Sequence, residues 1–413
     1  MSGTTTDDEA RVVRPGRIAV IDGNMAAAWG AKLSRPTVLA AYPITPQTPL
    51  VEYLSTFVAD GELDADMVEV ESEHSALSVL QGASLAGART FTGTSSQGLA
   101  LMYEPYIRTS TLRLPIVMAI VTREVISPQS VWGGQQDAIT VRDAGWIQIY
   151  VEDNQEILDS IIMAYKIAEH PDILLPVNIC YDGHYLSHVA DRVEIPAQED
   201  VDRFLSPYSP SHIKLDPRTP MSVDPLTPGD ILMEYRYKHV RAQARAKRVI
   251  EEVDEEFGRI FGRPYGGLLE RYRLDDASLA LITLGSTSGT AKVAVDAARN
   301  RGVDIGLIKL RALRPFPREE LFEALHGKAA IGIVDRNVCF GWMTGVVYAE
   351  VCAALRLLPD QPPLIDFVAG LGGADITFKH YERAISLLQQ AASGRTVAEV
   401  TWLGIDFEPG EEP

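Results

Sequence analysis

Short apolar runs alternate with Ala- and Gly-rich stretches through the first block of the chain, residues 16–195. Several runs are continuously apolar, which is typical of strands covered on both faces. The predicted strands are Arg35–Ile44, Ala65–Glu71, Ala88–Thr94, Pro115–Thr122 and Pro176–Tyr181. The predicted helices between them are Gly23–Leu33, Thr48–Ala59, His74–Ala86, Gly98–Ser110 and Asn154–His170. This alternation of strand and helix predicts an α/β domain with a parallel sheet.

A segment of different composition follows, and we assign residues 196–274 to a linker with a bracing helix. Residues 196–226 are rich in Pro, Asp and Ser without a clear period, which predicts an extended crossing segment. A strong helix then begins, with Thr227 as the predicted N-cap and Pro228 at its first helical position. Its apolar residues recur at spacings of three and four until the glycine pair that ends with Gly262. We expect this long charged helix to be a brace or an interface element.

The alternation returns in a second block, residues 275–393. Its predicted strands are Leu279–Ser286, Val303–Leu310 and Ala329–Arg336. Its predicted helices are Thr290–Arg299, Arg318–Leu325 and Gly345–Leu357. The fold class predicted for the chain is therefore α/β, with two parallel-sheet domains joined by the linker. Residues 1–15 are predicted to be a disordered N-terminus, and residues 394–413 a C-terminal tail that closes on the acidic run "FEPGEEP".

Charge and composition narrow the classes of partner. The formal net charge is −18, so the surface repels nucleic acid and anionic lipid, although a local cleft can still attract a small anion. No apolar run approaches the ~18 residues of a membrane span, and the N-terminus lacks the apolar region of a signal peptide. We therefore expect a cytoplasmic protein without nucleic acid or membrane partners.

The cysteines exclude one kind of redox centre. The chain has three cysteines, Cys180, Cys339 and Cys352, and no C-x-x-C pair. Their apolar surroundings predict buried structural thiols in a reduced compartment. Because an iron–sulfur cluster needs four thiolates, this chain cannot hold one alone.

Two junctions between a strand and a helix are candidates for chemistry. In "AYPITPQTPLVEYL", prolines stiffen the turn that holds Thr45 at the carboxyl end of a strand, where ligands of open α/β sheets bind. A rigid loop whose threonines only cap the next helix is the structural alternative. In "VEVESEHSAL", Ser72 is the predicted cap and Glu73 lies in the first turn, where a carboxylate can also be wholly structural. Glu69, Glu71 and Glu73 alternate, so spacing alone does not select one of them.

The stretch "TGTSSQG", Thr92–Gly98, allows close approach of a cofactor because its residues are small or hydroxylated. It lacks the lysine of a P-loop and any G-x-G-x-x-G pattern, so the sequence gives only weak support for a phosphate site here. Arg123 follows an apolar strand and either pairs with a core acid or binds a carboxylate through two hydrogen bonds. His184 and His188 have no cysteine or carboxylate at metal-binding spacing, and we expect structural histidines and no metal site.

Taken together, these stretches resemble the pyruvate:ferredoxin oxidoreductase and 2-oxoacid:acceptor oxidoreductase family. The motifs "YPITPQTPLVE", "ESEHSAL", "GARTFTGTSSQGLALM", "QQDAITVRDAGW" and "DGHYLSH" resemble its thiamine diphosphate pyrimidine-binding domain. The motifs "ITLGSTSGTAKVAV", "LRALRPFP", "VDRNVCFGWMTG" and "GLGGADIT" resemble its transketolase C-terminal-like domain. The resemblance extends over almost the whole chain and implies an alpha subunit.

The resemblance also implies roles for single residues. Glu73 would hydrogen-bond the N1′ atom of the thiamine aminopyrimidine and so promote formation of the reactive ylid. Thr94 and Gln97 are placed with the same cofactor. Thr45 and Arg123 would hold the carboxylate and carbonyl of the 2-oxoacid.

The remaining cofactors and partners are implied to lie on other chains. A beta subunit would bind the diphosphate and Mg²⁺. Gamma and delta subunits would carry iron–sulfur clusters, and a flavin subunit could link the complex to NAD. The implied reaction is oxidative decarboxylation of a 2-oxoacid with coenzyme A. The alternatives are half of a non-redox thiamine enzyme, such as a transketolase or carboligase, and a scaffold subunit without activity.

The chain departs from the pyruvate-type pattern in the loop before the Gln-Asp step. Gly134 and Gln135 stand where pyruvate enzymes usually carry an acid and a histidine. This change predicts a larger substrate pocket and makes an aromatic 2-oxoacid such as phenylglyoxylate the leading candidate, with pyruvate next. His74 replaces a pyruvate-type alanine, with an effect that the sequence does not assign.

Overall fold

The computed structural model describes residues 16–125, 127–210 and 212–405. The predicted disordered N-terminus, residues 1–15, and the "FEPGEEP" tail lie outside these residues. The α/β class is confirmed, since strands and helices alternate along both blocks. The elements of the first block are β1 Arg17–Ile21, α1 Gly23–Leu33, β2 Val38–Ala41, α2 Thr48–Ala59, β3 Asp66–Glu69, α3 Glu73–Ala86, β4 Thr90–Thr94, α4 Ser96–Leu101, α5 Tyr103–Thr111, β5 Val117–Thr122, α6 Gln136–Thr140, β6 Ile147–Tyr150, α7 Asn154–Ala168, β7 Val177–Asp182, β8 Asp191–Ile195 and α8 Gln198–Phe204.

A long helix and a second alternating series complete the described chain. These elements are α9 Gly229–Phe261, β9 Leu269–Tyr272, β10 Leu279–Leu284, α10 Thr287–Asn300, β11 Ile305–Leu310, β12 Ala312–Arg314, α11 Arg318–Leu325, β13 Ala330–Asp335, α12 Val346–Leu355, β14 Leu364–Val368, α13 Phe378–Ala392 and β15 Val400–Trp402. The predicted helix Gly98–Ser110 is divided at Met102 into α4 and α5.

The first sheet has the strand order β12-β6-β7-β5-β4-β2-β3. Its strands run parallel except β12, which pairs with β6 in the antiparallel direction. Every residue of β5 and β7 is buried, which explains why β5 is apolar at all positions before Thr122. The carboxyl ends of β5, β4, β2 and β3 therefore meet along one edge of the sheet, and the candidate site lies there.

The second sheet has the order β15-β14-β13-β10-β11-β9, with β9 antiparallel to β11. Three short strands pair differently from what their position in the chain predicts. Strand β12 lies within the block assigned to the second domain but joins the first sheet. Strand β9 lies in the predicted linker and β15 in the predicted tail, yet both extend the second sheet. A further antiparallel pair, β1 with β8, stands apart from both sheets.

Helix α9 spans 33 residues, and its buried residues begin at Ala242. Its apolar stripe contains Ala242, Ala246, Val249, Ile250, Val253 and Phe257, and it joins the core of the first domain. The brace prediction is therefore correct for this part of the helix. Thr227 does not cap the helix, because its hydroxyl donates to the carbonyl of Pro225 and Pro228 occupies the N-cap position. The first turns instead expose Ile231, Leu232, Met233, Tyr235, Tyr237 and Val240.

Candidate active site

Burial distinguishes the three alternating glutamates. Glu69 and Glu71 are exposed, whereas Glu73 is only 5% exposed. Ser72 caps α3 as predicted, since its hydroxyl accepts the backbone N–H of Ser75 at 3.2 Å. Glu73 is thereby fixed as the first helical residue, and its side chain turns inward. Burial raises the pKa of the Glu73 carboxyl, and a backbone hydrogen bond opposes this shift.

Gly98 makes room for the carboxyl group of Glu73 because glycine has no side chain. Gly98 lies in α4, and a Cβ on it would stand 2.5 Å from Oε1 of Glu73 and 2.6 Å from Oγ1 of Thr94. These distances are too short for any side chain, so only glycine allows Glu73 and Thr94 to approach the helix here. The predicted cofactor residues Glu73 and Thr94 are therefore neighbours in space.

Several buried polar atoms around Gly98 have no hydrogen-bond partner among the residues described. They are Oγ1 of Thr94, Oγ of Ser95 and Oε1 of Gln97. Buried polar groups without partners are rare and indicate a missing ligand or water. An aminopyrimidine fits this set, because its ring nitrogen can share a hydrogen bond with a carboxyl group such as that of Glu73 and its amino group donates to oxygen acceptors.

Arg123 and Thr45 are in direct contact at the ends of neighbouring segments. Arg123 is 3% exposed, and its Nη1 donates to the carbonyl of Thr45 at 2.7 Å while its Nε donates to Ser130 O at 2.8 Å. Burial lowers the pKa of Arg123, although the guanidinium of arginine stays charged at neutral pH. The side chain of Thr45 is exposed beside it. The guanidinium of Arg123 therefore lies against the backbone of Thr45, whose residue is exposed.

Asp137 connects the two halves of the site, and the sequence analysis assigned it no role. Its Oδ2 accepts the backbone N–H of Ser96 at 2.8 Å and that of Arg123 at 3.0 Å. Burial raises the pKa of Asp137 to about 7, although these donors oppose the shift. The carboxylate of Asp137 therefore fixes the β4–α4 turn, which begins at Ser95, relative to the carboxyl end of β5, which is followed by Arg123. An acid within the apolar stretch "QDAITV" was the available signal.

The pocket predicted from Gly134 and Gln135 is not found at those positions. A Cβ on Gly134 would collide with the carboxylate of Glu124, so this carboxylate already fills the space that the missing side chain leaves. Gln135 turns toward the second domain, where its Nε2 donates to Leu284 O at 3.1 Å. Neither residue lines an opening beside Arg123. The physical reason is that contacts with the second domain fix this loop, and these contacts were not visible in the local pattern.

The histidines that the sequence singled out lie in different surroundings. His184 and His188 stack with a ring-centroid distance of 4.6 Å, and Nε2 of His184 has no hydrogen-bond partner among the described residues. Nε2 of His74 is hydrogen-bonded to Oε2 of Glu104 at 3.1 Å on the surface. Within the described ranges, no group of three or more His, Cys, Asp or Glu residues is arranged to hold a metal ion.

The cysteines are free thiols. Cys180 is fully buried in β7, and burial raises the pKa of its thiol well above the ordinary value. Cys339 and Cys352 are only half-buried, which differs from the expectation that all the thiols lie in the core. None of the helices described here is long and apolar enough to span a membrane.

Comparisons with known proteins show the family of this chain. Residues 29–255 match the family model described as pyruvate flavodoxin/ferredoxin oxidoreductase, thiamine diphosphate-binding. Residues 277–381 match the pyruvate:ferredoxin oxidoreductase core domain II. The chain is 50% identical to the NADH-dependent phenylglyoxylate dehydrogenase subunit alpha of Aromatoleum evansii, over 95% of this chain and 96% of that protein.

A further relative supports the same family, and a solved structure has a similar fold. The chain is 46% identical to pyruvate synthase subunit PorA of Methanocaldococcus jannaschii, over 94% of this chain and 98% of that protein. Its fold resembles 2-oxoglutarate:ferredoxin oxidoreductase from Magnetococcus marinus, with a TM-score of 0.70 and 20% identity, over 94% of this chain and 68% of that one. The chain therefore belongs to the pyruvate flavodoxin/ferredoxin oxidoreductase family and is an alpha-type subunit of a 2-oxoacid oxidoreductase with the family's thiamine diphosphate-binding domain.

Proposed function

We propose that this chain supplies the pyrimidine half of a thiamine diphosphate site in a multi-subunit, coenzyme A-dependent 2-oxoacid oxidoreductase. The observation that carries the proposal is the buried Glu73 carboxyl beside Thr94, together with the oxygens of Thr94 and Gln97 that lack partners among the described residues. When bound, thiamine diphosphate supplies the nucleophile and electron sink that decarboxylation of a 2-oxoacid needs. Glu73 would share a hydrogen bond with the ring nitrogen, and Thr94 and Gln97 would accept from the amino group.

Arg123 and Thr45 bind the carboxylate end of the substrate in this proposal. The Nη1 and Nε groups of Arg123 are held by backbone carbonyls, which leaves the outer edge of the guanidinium for a ligand. Because Asp137 links the backbone of Arg123 to that of Ser96, the substrate anchor keeps a fixed position relative to the cofactor acid. Such pre-organisation accelerates a reaction between two bound groups.

The diphosphate, Mg²⁺ and the iron–sulfur clusters are assigned to partner chains. The "TGTSSQG" turn contains no lysine, and the chain has only three cysteines. Exposed apolar side chains beside the site, Tyr42, Leu101 and Tyr103, suit a surface covered by a beta subunit that brings the diphosphate. Electrons pass from there to the clusters of further subunits and then to ferredoxin or, through a flavin subunit, to NAD.

The proposed substrate is an aromatic 2-oxoacid, with phenylglyoxylate as the test compound. Support comes from the 50% identity to the phenylglyoxylate dehydrogenase subunit, which exceeds the 46% identity to the pyruvate synthase subunit. The experiment is to purify the native complex and assay a panel of 2-oxoacids with coenzyme A and a viologen dye. We expect kcat/KM for phenylglyoxylate to exceed that for pyruvate by at least about tenfold. A preference for pyruvate contradicts the substrate, and the absence of dye reduction with every 2-oxoacid contradicts the reaction.

A further inference from the structure

We propose that the side chain of the 2-oxoacid lies in a cavity between the two domains, with Trp132, His184 and Ile376 as the residues that select for an aromatic ring. This inference rests on the function proposed above. The cavity has a volume of about 400 Å³. That is within the range of small-molecule sites, which begins at roughly 300 Å³. It differs in place from the opening that Gly134 and Gln135 predicted.

The cavity adjoins the proposed carboxylate anchors through a shared wall. Arg123 and Gly133 face each other in an antiparallel bridge, and Gly133 lines the cavity. Gly183 lines it as well and lies so close to the Thr45–Pro46 turn that an added Cβ would stand 2.8 Å from Cγ of Pro46. The side chain of a substrate held by Arg123 and Thr45 can therefore extend into the cavity.

Aromatic rings form one side of this space. The centroids of Trp132 and His184 are 4.6 Å apart, and Trp132 is 55% exposed, so much of its surface has no protein neighbour. Burial, the neighbouring His188 and the positive charge of Arg123 lower the pKa of His184, so its imidazole is neutral at pH 7. Neutral rings favour a stacked aromatic ligand over an anion.

The buried charges that line the cavity already have partners. Arg336 forms an ion pair with Asp182 at 2.8 Å, and Asp182 accepts from both the N–H and the hydroxyl of Ser286 at the start of α10. This helix terminus and this guanidinium are therefore neutralised within the protein. Asp375, another charged residue of the lining, is exposed to solvent. A buried apolar group consequently meets no unpaired buried charge in this space.

The test compares two substrates in the reconstituted complex. Trp132→Ala is expected to lower kcat/KM for phenylglyoxylate by at least about tenfold, since an aromatic partner and its buried area are lost. Pyruvate has no ring to stack on Trp132, so its kcat/KM is expected to change by less than about twofold. Trp342→Ala is the matched control, because Trp342 is 67% exposed and does not line the cavity. Both substrates are expected to react normally with this control.

A second variant covers the case in which Trp132→Ala does not assemble. Ile376→Val removes one methyl group from the lining of the cavity. This variant is expected to lower the phenylglyoxylate-to-pyruvate ratio of kcat/KM by about two- to fivefold. Equal losses with both substrates, or an unchanged ratio in the variants that assemble, overturn the inference. Failure of the proposed function is distinguishable, because the unmodified complex would then turn over neither substrate.

Discussion

Replacing Gly98 with alanine tests whether Glu73 must occupy its observed position. The new Cβ would stand 2.5 Å from Oε1 of Glu73 and 2.6 Å from Oγ1 of Thr94. An ordinary contact of a carbon atom is roughly 3.5 Å, so the carboxyl group has to move by about 1 Å. Thr94 lies on a fully buried strand and moves less easily, so the displacement falls mainly on Glu73.

Two opposing effects on stability can be estimated. Overpacking a buried site costs about 1–3 kcal/mol, and replacing glycine by alanine inside a helix stabilises by about 1 kcal/mol. The net loss is thus about 0–2 kcal/mol, which leaves the protein folded. Activity should suffer far more, because a displacement of about 1 Å at a reacting group can cost about a hundredfold in rate. We expect Gly98→Ala to assemble normally and to lose about a hundredfold in kcat.

The assay is 2-oxoacid-dependent dye reduction by the assembled complex, together with urea unfolding of the chain. Gly82→Ala is the matched control, because Gly82 lies on α3, the helix that begins with Glu73, and an added Cβ there would meet nothing within 4 Å. That variant should gain about 0.5–1 kcal/mol in stability and keep full activity. Wild-type turnover of Gly98→Ala would refute the role of Glu73 and of the close approach at Gly98.

Three further predictions concern the same chain. Glu73→Gln should assemble but lose roughly 10²–10⁴-fold in activity, whereas Glu71→Gln should remain active; the reverse result would move the role to Glu71. Calorimetry of the isolated chain should show binding of thiamine diphosphate weaker than about −8 kcal/mol, the equivalent of micromolar affinity, because the diphosphate ligands lie elsewhere. Burial and the neighbouring Asp335 raise the pKa of Asp366. The protonated carboxyl group therefore stabilises the folded protein fully below the ordinary pKa of about 4, and this stabilisation is lost as the pH rises through the raised pKa. The fall in Tm between about pH 5 and 9 should therefore be smaller in Asp366→Asn than in the wild type, and equal falls would contradict the assignment.

Local sequence signals predicted the parts of the fold that local interactions determine. Helices α1 and α2 begin and end at the predicted residues, because a polar N-cap such as Asp22 or a proline in the first turn marks each start. Buried parallel strands such as β5 were recognisable because they are apolar at every position. The choice of Glu73 among its alternating neighbours, in contrast, required burial, which spacing does not encode.

The features that the sequence predicted incorrectly depend on contacts between residues that are far apart in the chain. Strand β12 has only three residues, and it joins the first sheet through pairing with β6, which lies more than 150 residues earlier. Such a strand has no period of its own to detect. Gln135 turns away from the substrate because its amide finds Leu284 O in the other domain. The identity of residue 135 was informative, but the direction of its side chain was set by tertiary contacts.

The residues proposed for the cofactor and those proposed for the substrate are held by different contacts. Glu73, Thr94 and Gly98, which are proposed for the cofactor, lie on α3, β4 and α4 of the first domain. The loop after Arg123 is instead clasped by the second domain, where Gly372 N donates to Glu124 at 3.2 Å. We therefore expect changes in the second domain to act on the proposed substrate loop, while Asp137 keeps the start of that loop fixed relative to the β4–α4 turn. In this proposal the 2-oxoacid can vary through the domain contact while the chemistry at Glu73 stays the same.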